Sequence, residues 1–449
     1  MSLEYDLVII GASLEGIYAA EQAIQTNKRI ALVDQGLSTP SLQHQFVLGQ
    51  LTQFIHHYRD LQALNYFDQP LPSQRFLQVT QQLTPHHYYR ELAAEKLANL
   101  AALGVDVLLE SGSFTNSPYL GFVVDNRHLR SRAYLLATGS SIREPNIPEL
   151  KEISYLTPET FDKAQFKESP QTWTIIGATP TSIPIAQYLA SLDQNVILLT
   201  QNAHILPQED SKIAHLLQAH LEAMGIQIIP QASIQSVKKV NQKTAIALSN
   251  QILETDKVLL ATGYQPQVEN LNLEKIQVNY NHHRILTNHY LQTTHLKIYA
   301  CGNLLGGYSI PDIAKYEARI AVNNTLFSRK IKLNYPSVPY QFLTYPHFAR
   351  IGLNEKHAQQ QDIDVRVITL YLNYSNNPLL LNEIKTLCKL VIDTQKRILG
   401  VDIFGSNTDE LMTFFSLAIQ QSLKLNELIA IHPSSPVIST LLQALIGRM

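Results

Sequence analysis

Three small residues and one acid have the spacing of a site that grips a dinucleotide. Gly11, Ser13 and Gly16 stand as G-x-S-x-x-G directly after the apolar run Leu7–Ile10, and Asp34 closes a second apolar run, Arg29–Val33. In such a motif the first glycine allows a tight turn. The middle position lets a pyrophosphate approach the backbone, and the third lets the helix pack closely on its strand. Ser13 replaces the middle glycine; it is small, its hydroxyl can donate to a phosphate oxygen, and the free N–H groups at the positive end of a helix favour an anion. Asp34 is placed to accept hydrogen bonds from a ribose. The elements that must hold these residues are strand, helix and parallel strand, one β-α-β unit over Tyr5–Asp34. A plain buried β-α-β unit with no ligand has the same apolar pattern, so the rest of the chain decides between them.

The chain has 449 residues, too many for one ordinary core, so two to four domains are expected. Apolar residues make up 45% and charged residues 16%, a globular composition. Lys plus Arg number 35 against 37 Asp plus Glu, so no basic field points to nucleic acid. No signal peptide and no apolar run of membrane-spanning length is visible, and a soluble, cytoplasmic protein is expected. The only cysteines are Cys301 and Cys388, which excludes a disulfide framework and a cysteine metal site. The pairs His86/His87 and His282/His283 lack a convergent third ligand, so no metal is expected.

Along the chain, helical patterns cover Val47–Leu64 and Pro85–Leu103, the second stopped by Gly104. A polar stretch with Pro70 and Pro72, Phe67–Thr84, reads as a surface excursion. Strand patterns follow at Val105–Leu109, Gly121–Val124 and Ala133–Leu136, the last running into Ala137-Thr138-Gly139-Ser140. A second β-α-β unit then begins: strand Trp173–Ile176, turn Gly177–Ser182, strand Val196–Leu199. It continues through a helix at Asp210–Gly225, a strand near Ile226–Pro230 and hairpin-like strands to Lys257–Leu260 and Ala261-Thr262-Gly263. Each half therefore carries a glycine turn, a helix, a hairpin and an apolar strand ending in Ala-Thr-Gly, an internal repeat that two similar dinucleotide-binding halves explain. A strand at Lys297–Ala300 leads to Cys301-Gly302-Asn303 and a helix at Pro311–Leu326. After Tyr335 come antiparallel strand patterns (Val365–Tyr371, Lys389–Asp393, Ile398–Phe404) and helices near Asp409–Ser422 and Leu425–Ile431, an α+β unit of its own.

In this order the motifs resemble the pyridine nucleotide-disulfide oxidoreductases, the family of glutathione reductase, dihydrolipoamide dehydrogenase, mercuric reductase and the soluble transhydrogenases. The resemblance covers essentially the whole chain. It rests on Gly11–Gly16 with Asp34, both Ala-Thr-Gly strand ends, Ile298–Asn303 through Ile310–Arg319, Ala349–Leu353, Lys389–Asp393, Ile398–Gly400 and His432-Pro433. It implies an α/β fold with two Rossmann-like nucleotide-binding domains, for FAD and NAD(P), plus a C-terminal α+β domain that forms a homodimer. The boundaries would be residues 1–150 and 269–334 for the FAD domain, 151–268 for the NAD(P) domain and 335–449 for the dimerisation domain. Gly11, Ser13, Gly16 and Asp34 match the residues that hold the FAD pyrophosphate and adenosine ribose, and Thr138 and Gly139 the strand end lining that site. Gly302 and Asn303 match a Gly-Asp pair that meets the ribityl chain, with the charge lost, and Ile310 sits where the helix beneath the flavin begins.

The family's thiol chemistry is missing. Its two redox cysteines match Ser41 and Phe46, the lysine after them Gln50, the glutamate of the second glycine helix Pro184, and the aromatic gate Pro180. Of its His-Glu pair His432 is kept, while Val437 takes the glutamate place. The NAD(P) side retains Gly177, but Thr179 and Ser182 replace the later glycines and Pro180 offers no N–H. A helix starting only after Ser182 would withdraw its positive end from a phosphate. Thr200 and Gln201 stand where NAD and NADP would be told apart, so that choice is unreadable. Two functions follow. One is an FAD oxidoreductase, NAD(P)H-dependent, passing electrons directly from flavin to a quinone, small oxidant or oxygen; His432 is its candidate catalytic residue. The other is a degenerate flavin-binding dimer kept as a sensor, assembly factor or scaffold.

Overall fold

The structure, a computed structural model, describes residues 3–34, 36, 41–63, 86–161, 164, 169–307, 309–373 and 386–448, side chains of 41–46 and 86–90 excepted. The expected excursion at 67–84 and the His86/His87 side chains lie outside these. Two compact units are present, each built from three chain segments.

The first unit gathers Met1–His44, Thr84–Glu144 and Thr262–Asn334. Its sheet is parallel, in the order Ile298–Ala300, Ser131–Leu136, Tyr5–Ile10, Ile30–Val33, Asp106–Leu108. Leu7 and Ile9 belong to one buried cluster and Val8 and Ile10 to another, so the strand is covered on both faces. That is why it is an unbroken apolar run in the sequence. On one face the helices Leu14–Ile24 and Pro311–Leu326 lie side by side, their contact lined by Ala19, Ala20, Ala23, Ala318 and Ala321, whose small side chains allow close approach. Pro311 opens its helix at the first-turn position where a missing N–H costs nothing. On the other face sits a three-stranded antiparallel sheet, Gly112–Thr115, Gly121–Val124 and Arg127–Leu129, packed through Phe114, Phe122 and Leu129.

The second unit gathers Gln45–Leu83, Pro145–Ala261 and Tyr335–Met449. Its parallel sheet runs Gln227–Ile229, Asn195–Leu199, Thr172–Ile176, Lys257–Leu260. This repeats, strand for strand, the order Asp106–Leu108, Ile30–Val33, Tyr5–Ile10, Ser131–Leu136 of the first unit, and each copy has its own three-stranded antiparallel sheet. The expected hairpins thus have a third strand. The C-terminal part is a five-stranded antiparallel sheet, Tyr340–Phe342, His347–Gly352, Ile398–Gly405, Thr386–Asp393, Val365–Leu372, backed by the helices Thr408–Gln420, Leu425–Ile429 and Pro436–Ile446. The helix expected over 47–64 begins earlier, at Ser41, and is described through Ala63, with Leu64 outside the described residues. No helix among the described residues is long and apolar enough to cross a membrane.

The second unit also buries a charged network. Arg350, 5% exposed on the His347–Gly352 strand, donates to Glu209 at 3.0 Å and lies 3.7 Å from the wholly buried Asp402. Tyr340 also donates to Glu209, and His357 contacts the guanidinium. Neither oxygen of Asp402 has a hydrogen-bond partner, and burial pushes its carboxyl up to about 7 although Arg350 opposes the shift. Lys389 bridges Asp210, the cap of the helix Ser211–Ala223, to Glu355.

Candidate nucleotide site

Six of the FAD-side residues singled out in the sequence stand just past the carboxyl ends of strands in the first unit's sheet, while Ser13, Gly16 and Ile310 lie at or in the helices that follow. Gly11 follows Tyr5–Ile10, Asp34 follows Ile30–Val33, Thr138 and Gly139 follow Ser131–Leu136, and Gly302 and Asn303 follow Ile298–Ala300. In open α/β sheets this is the edge at which ligands bind. Gly11 has φ +107°, and a Cβ there would lie 2.3 Å from the Ala137 carbonyl oxygen; at Gly16 it would lie 2.0 Å from the carbonyl of Gly11. Both glycines are therefore required by close backbone approach.

The polar groups have definite partners. Ser13 is the helix N-cap: its Oγ accepts from the Gly16 N–H at 3.2 Å, so the hydroxyl expected to serve a phosphate first serves the helix. One Asp34 carboxylate oxygen accepts from the Gly36 N–H at 2.9 Å, leaving the other as acceptor. Thr138 Oγ1 donates to the Gln267 carbonyl at 2.6 Å, so it shapes the rim through its packing rather than its hydroxyl. Asn303 Nδ2 donates to Ser309 Oγ at 2.8 Å, which orients the amide oxygen as the acceptor. Ile310, 4% exposed, caps the Pro311–Leu326 helix. A cavity of about 180 Å³ opens beside Asn303, lined by Arg143, Tyr264, His283, Gly306 and Ser309 among others. Arg143 is fixed there by the Thr262 carbonyl at 2.9 Å and by His283 Nδ1 at 3.0 Å.

Two carboxylates that the sequence reading passed over are buried at this edge. Glu317, on the helix Pro311–Leu326, accepts the Gly302 N–H at 2.7 Å. Glu15, the second residue of the helix Leu14–Ile24, is 2% exposed. An acid at the second helical position inside a glycine motif was the available signal, since it puts a negative charge at the helix end that should face a phosphate.

The glycine turn, the ribose acid, and the Asn303 amide oxygen all suit FAD. The second motif is different. Gly177 makes the turn, with φ +109°, but the helix starts at Ser182 and runs to Ser191. The turn closes on itself: Thr179 N–H donates to Ser182 Oγ at 2.9 Å, and Ser182 and Ile183 N–H both donate to the Thr179 carbonyl at 3.1 Å. These N–H groups are engaged within the turn itself, and the helix begins at Ser182, one residue earlier than a start after Ser182, with Thr181 at its N-cap. His432 is exposed, between the helices Leu425–Ile429 and Pro436–Ile446, and Val437 in the following turn carries no carboxylate. Among the described residues no three His, Cys, Asp or Glu side chains gather as a metal site. Cys301 and Cys388 are both free and fully buried.

Duplicated dinucleotide folds followed by an antiparallel α+β segment define a class of two-nucleotide oxidoreductases. The chain belongs to the pyridine nucleotide-disulphide oxidoreductase family: residues 5–321 match the family itself and 338–444 its dimerisation domain. Members of this family bind FAD and use NAD(P)H. A mercuric reductase from Staphylococcus aureus is 28% identical over 95% of this chain and 79% of its own length. The flavoprotein disulfide reductase RclA from Escherichia coli, solved as a Cu(II) complex, superposes with a TM-score of 0.82 at 21% identity over 100% of both chains. LpdA from Mycobacterium tuberculosis superposes with 0.85 at 18% identity over 99% of both; at these identities the two structures establish the fold alone.

Proposed function

We propose that this chain is an FAD oxidoreductase that passes electrons from the flavin directly to its acceptor, without a cysteine pair, and that it works as a homodimer through residues 335–449. Residues 1–150 and 269–334 would hold the flavin, and 151–268 would form the degenerate nucleotide domain. The observation that carries this reading is the fate of the thiols. A relay needs a thiolate at the flavin. The two cysteines in the chain are buried, and burial pushes both thiols up, helped by Glu15 and Glu317 at Cys301 and by Asp402 at Cys388. Ser41 and Phe46 hold the places of the family's redox pair.

FAD, when bound, supplies reversible hydride and single-electron chemistry. This chain's residues supply the holding: the Gly11 turn admits the backbone approach, Asp34 the ribose acceptor, and Asn303 an uncharged acceptor for a sugar hydroxyl. His432 is an exposed imidazole that exchanges protons with the acceptor without a carboxylate to orient it. The reduced nucleotide is held without a helix-end grip, so NADH and NADPH are expected to act with similar, high KM values. The acceptor is a small oxidant or quinone able to reach the flavin itself.

An anaerobic titration tests this. Holoprotein is expected to bleach fully on two electrons per flavin, because no disulfide shares them. Uptake of four electrons per flavin would reinstate a disulfide relay. A flavin that NADH and NADPH both leave oxidised would support the scaffold reading, and a protein purified without flavin would remove the FAD assignment.

A further inference from the structure

The first turn of the helix Leu14–Ile24 is where a dinucleotide's negative charge is stabilised, by N–H groups at the positive end of the helix. Here the chain has brought its own anion to that turn. The residue's own backbone N–H, the Ser13 hydroxyl and the Asn303 N–H favour the charged form of the Glu15 carboxyl, against a larger push from burial. The carboxyl lies so close over Gly302 that a Cβ there would be 2.1 Å from Glu15 Oε1. Oε1 itself has no hydrogen-bond partner. The titratable groups around it are acidic: Cys301 at the strand end and Glu317 from the Pro311–Leu326 helix, which share Gly302 with it. Among the described residues no Lys or Arg pairs with Glu15.

We propose that Glu15 sets the affinity of this site for FAD by competing with the pyrophosphate for the same helix end, so that FAD binding takes up one proton at Glu15. The inference rests on the FAD reading and deepens it. Two anions on one helix end with no cation between them repel strongly in a medium of low dielectric, and neutralising the weaker acid is the least costly relief. Once protonated, Glu15 turns from a rival acceptor into a donor toward a phosphate oxygen. Burial already pushes this carboxyl above its usual range, against the pull of the three donors, which is the direction that proton uptake requires.

The experiment is FAD binding to flavin-stripped protein, followed by flavin fluorescence from about pH 5.5 to 8.5 and by calorimetry in two buffers of different ionisation enthalpy. Wild-type affinity should fall with rising pH, approaching about tenfold per unit, with close to one proton taken up per FAD. Glu15→Gln should bind FAD with no pH slope and no proton uptake, and about tenfold or more tightly at the alkaline end. Glu15→Ala, which opens the turn, should behave likewise and guards against a misfolded first variant. FAD bound equally, and independently of pH, by wild type and both variants would overturn the role of Glu15 while leaving the cofactor in place. Binding by none of them, with folded circular-dichroism spectra, would overturn the FAD reading and the proposal together.

Discussion

Arg350→Met should lower the unfolding free energy of the second unit by about 3–5 kcal/mol, because it strands Glu209 and Asp402 as buried acids without their paired guanidinium. The substitution keeps side-chain bulk, so the effect measures charge rather than a cavity. Trp173, the single tryptophan of the chain and fully buried in this unit, gives the fluorescence signal for a urea titration. A loss under about 1 kcal/mol would mean that water or rearranged side chains compensate these carboxylates. The same network gives stability a pH slope. Asp402 is held up to about 7 in the fold by burial, well above the value of a solvated aspartate. A carboxyl raised on folding contributes stability that is complete below its unfolded pKa and is lost as pH rises through the folded one. Between about pH 4 and 7 the unit should therefore weaken with rising pH, and Asp402→Asn should flatten that slope. Equal urea midpoints for the wild type at both ends of the window would contradict the assignment.

Gly11→Ala should empty the flavin site. No rotamer relieves the new Cβ, since what it meets at 2.3 Å is the Ala137 main chain, and φ at +107° is a conformation that alanine rarely adopts. Strain of this kind and a backbone collision together cost roughly 3 kcal/mol or more. The strands Tyr5–Ile10 and Ser131–Leu136 would have to separate at their carboxyl ends, where the site lies. The variant is expected to purify with less than about a tenth of the wild-type flavin and with a lower melting temperature. Wild-type flavin content would show that the turn has another way to open.

The framework was legible because its signals are local. Strands buried on both faces leave apolar runs, as at Tyr5–Ile10, and Pro311 and Gly104 mark helix ends by backbone chemistry. The duplication was legible because both halves end in Ala-Thr-Gly, and the matching strand orders are its consequence. The strand His347–Gly352 and the helix Pro436–Ile446 were not assigned as elements, since their apolar residues are sorted by partners distant in sequence. At the site, the glycines were found through their spacing. Glu15 stood at a variable position of the motif, and Arg143 is brought to Asn303 only by folding. Ser13 was read as a small polar residue whose hydroxyl could serve a phosphate, but its hydrogen-bond partner in the fold, Gly16, is fixed by cap geometry.

The two buried cysteines give the protein an unplanned pair of clocks. Cys301 lies in the first unit and Cys388 in the second, one thiol to each, and neither is accessible to an alkylating reagent while its unit stays closed. Labelling then proceeds only through opening, and where reclosing is fast its rate reports the free energy of that opening. Mass spectrometry of the two peptides would read the breathing of each half separately, in one tube, from the native sequence.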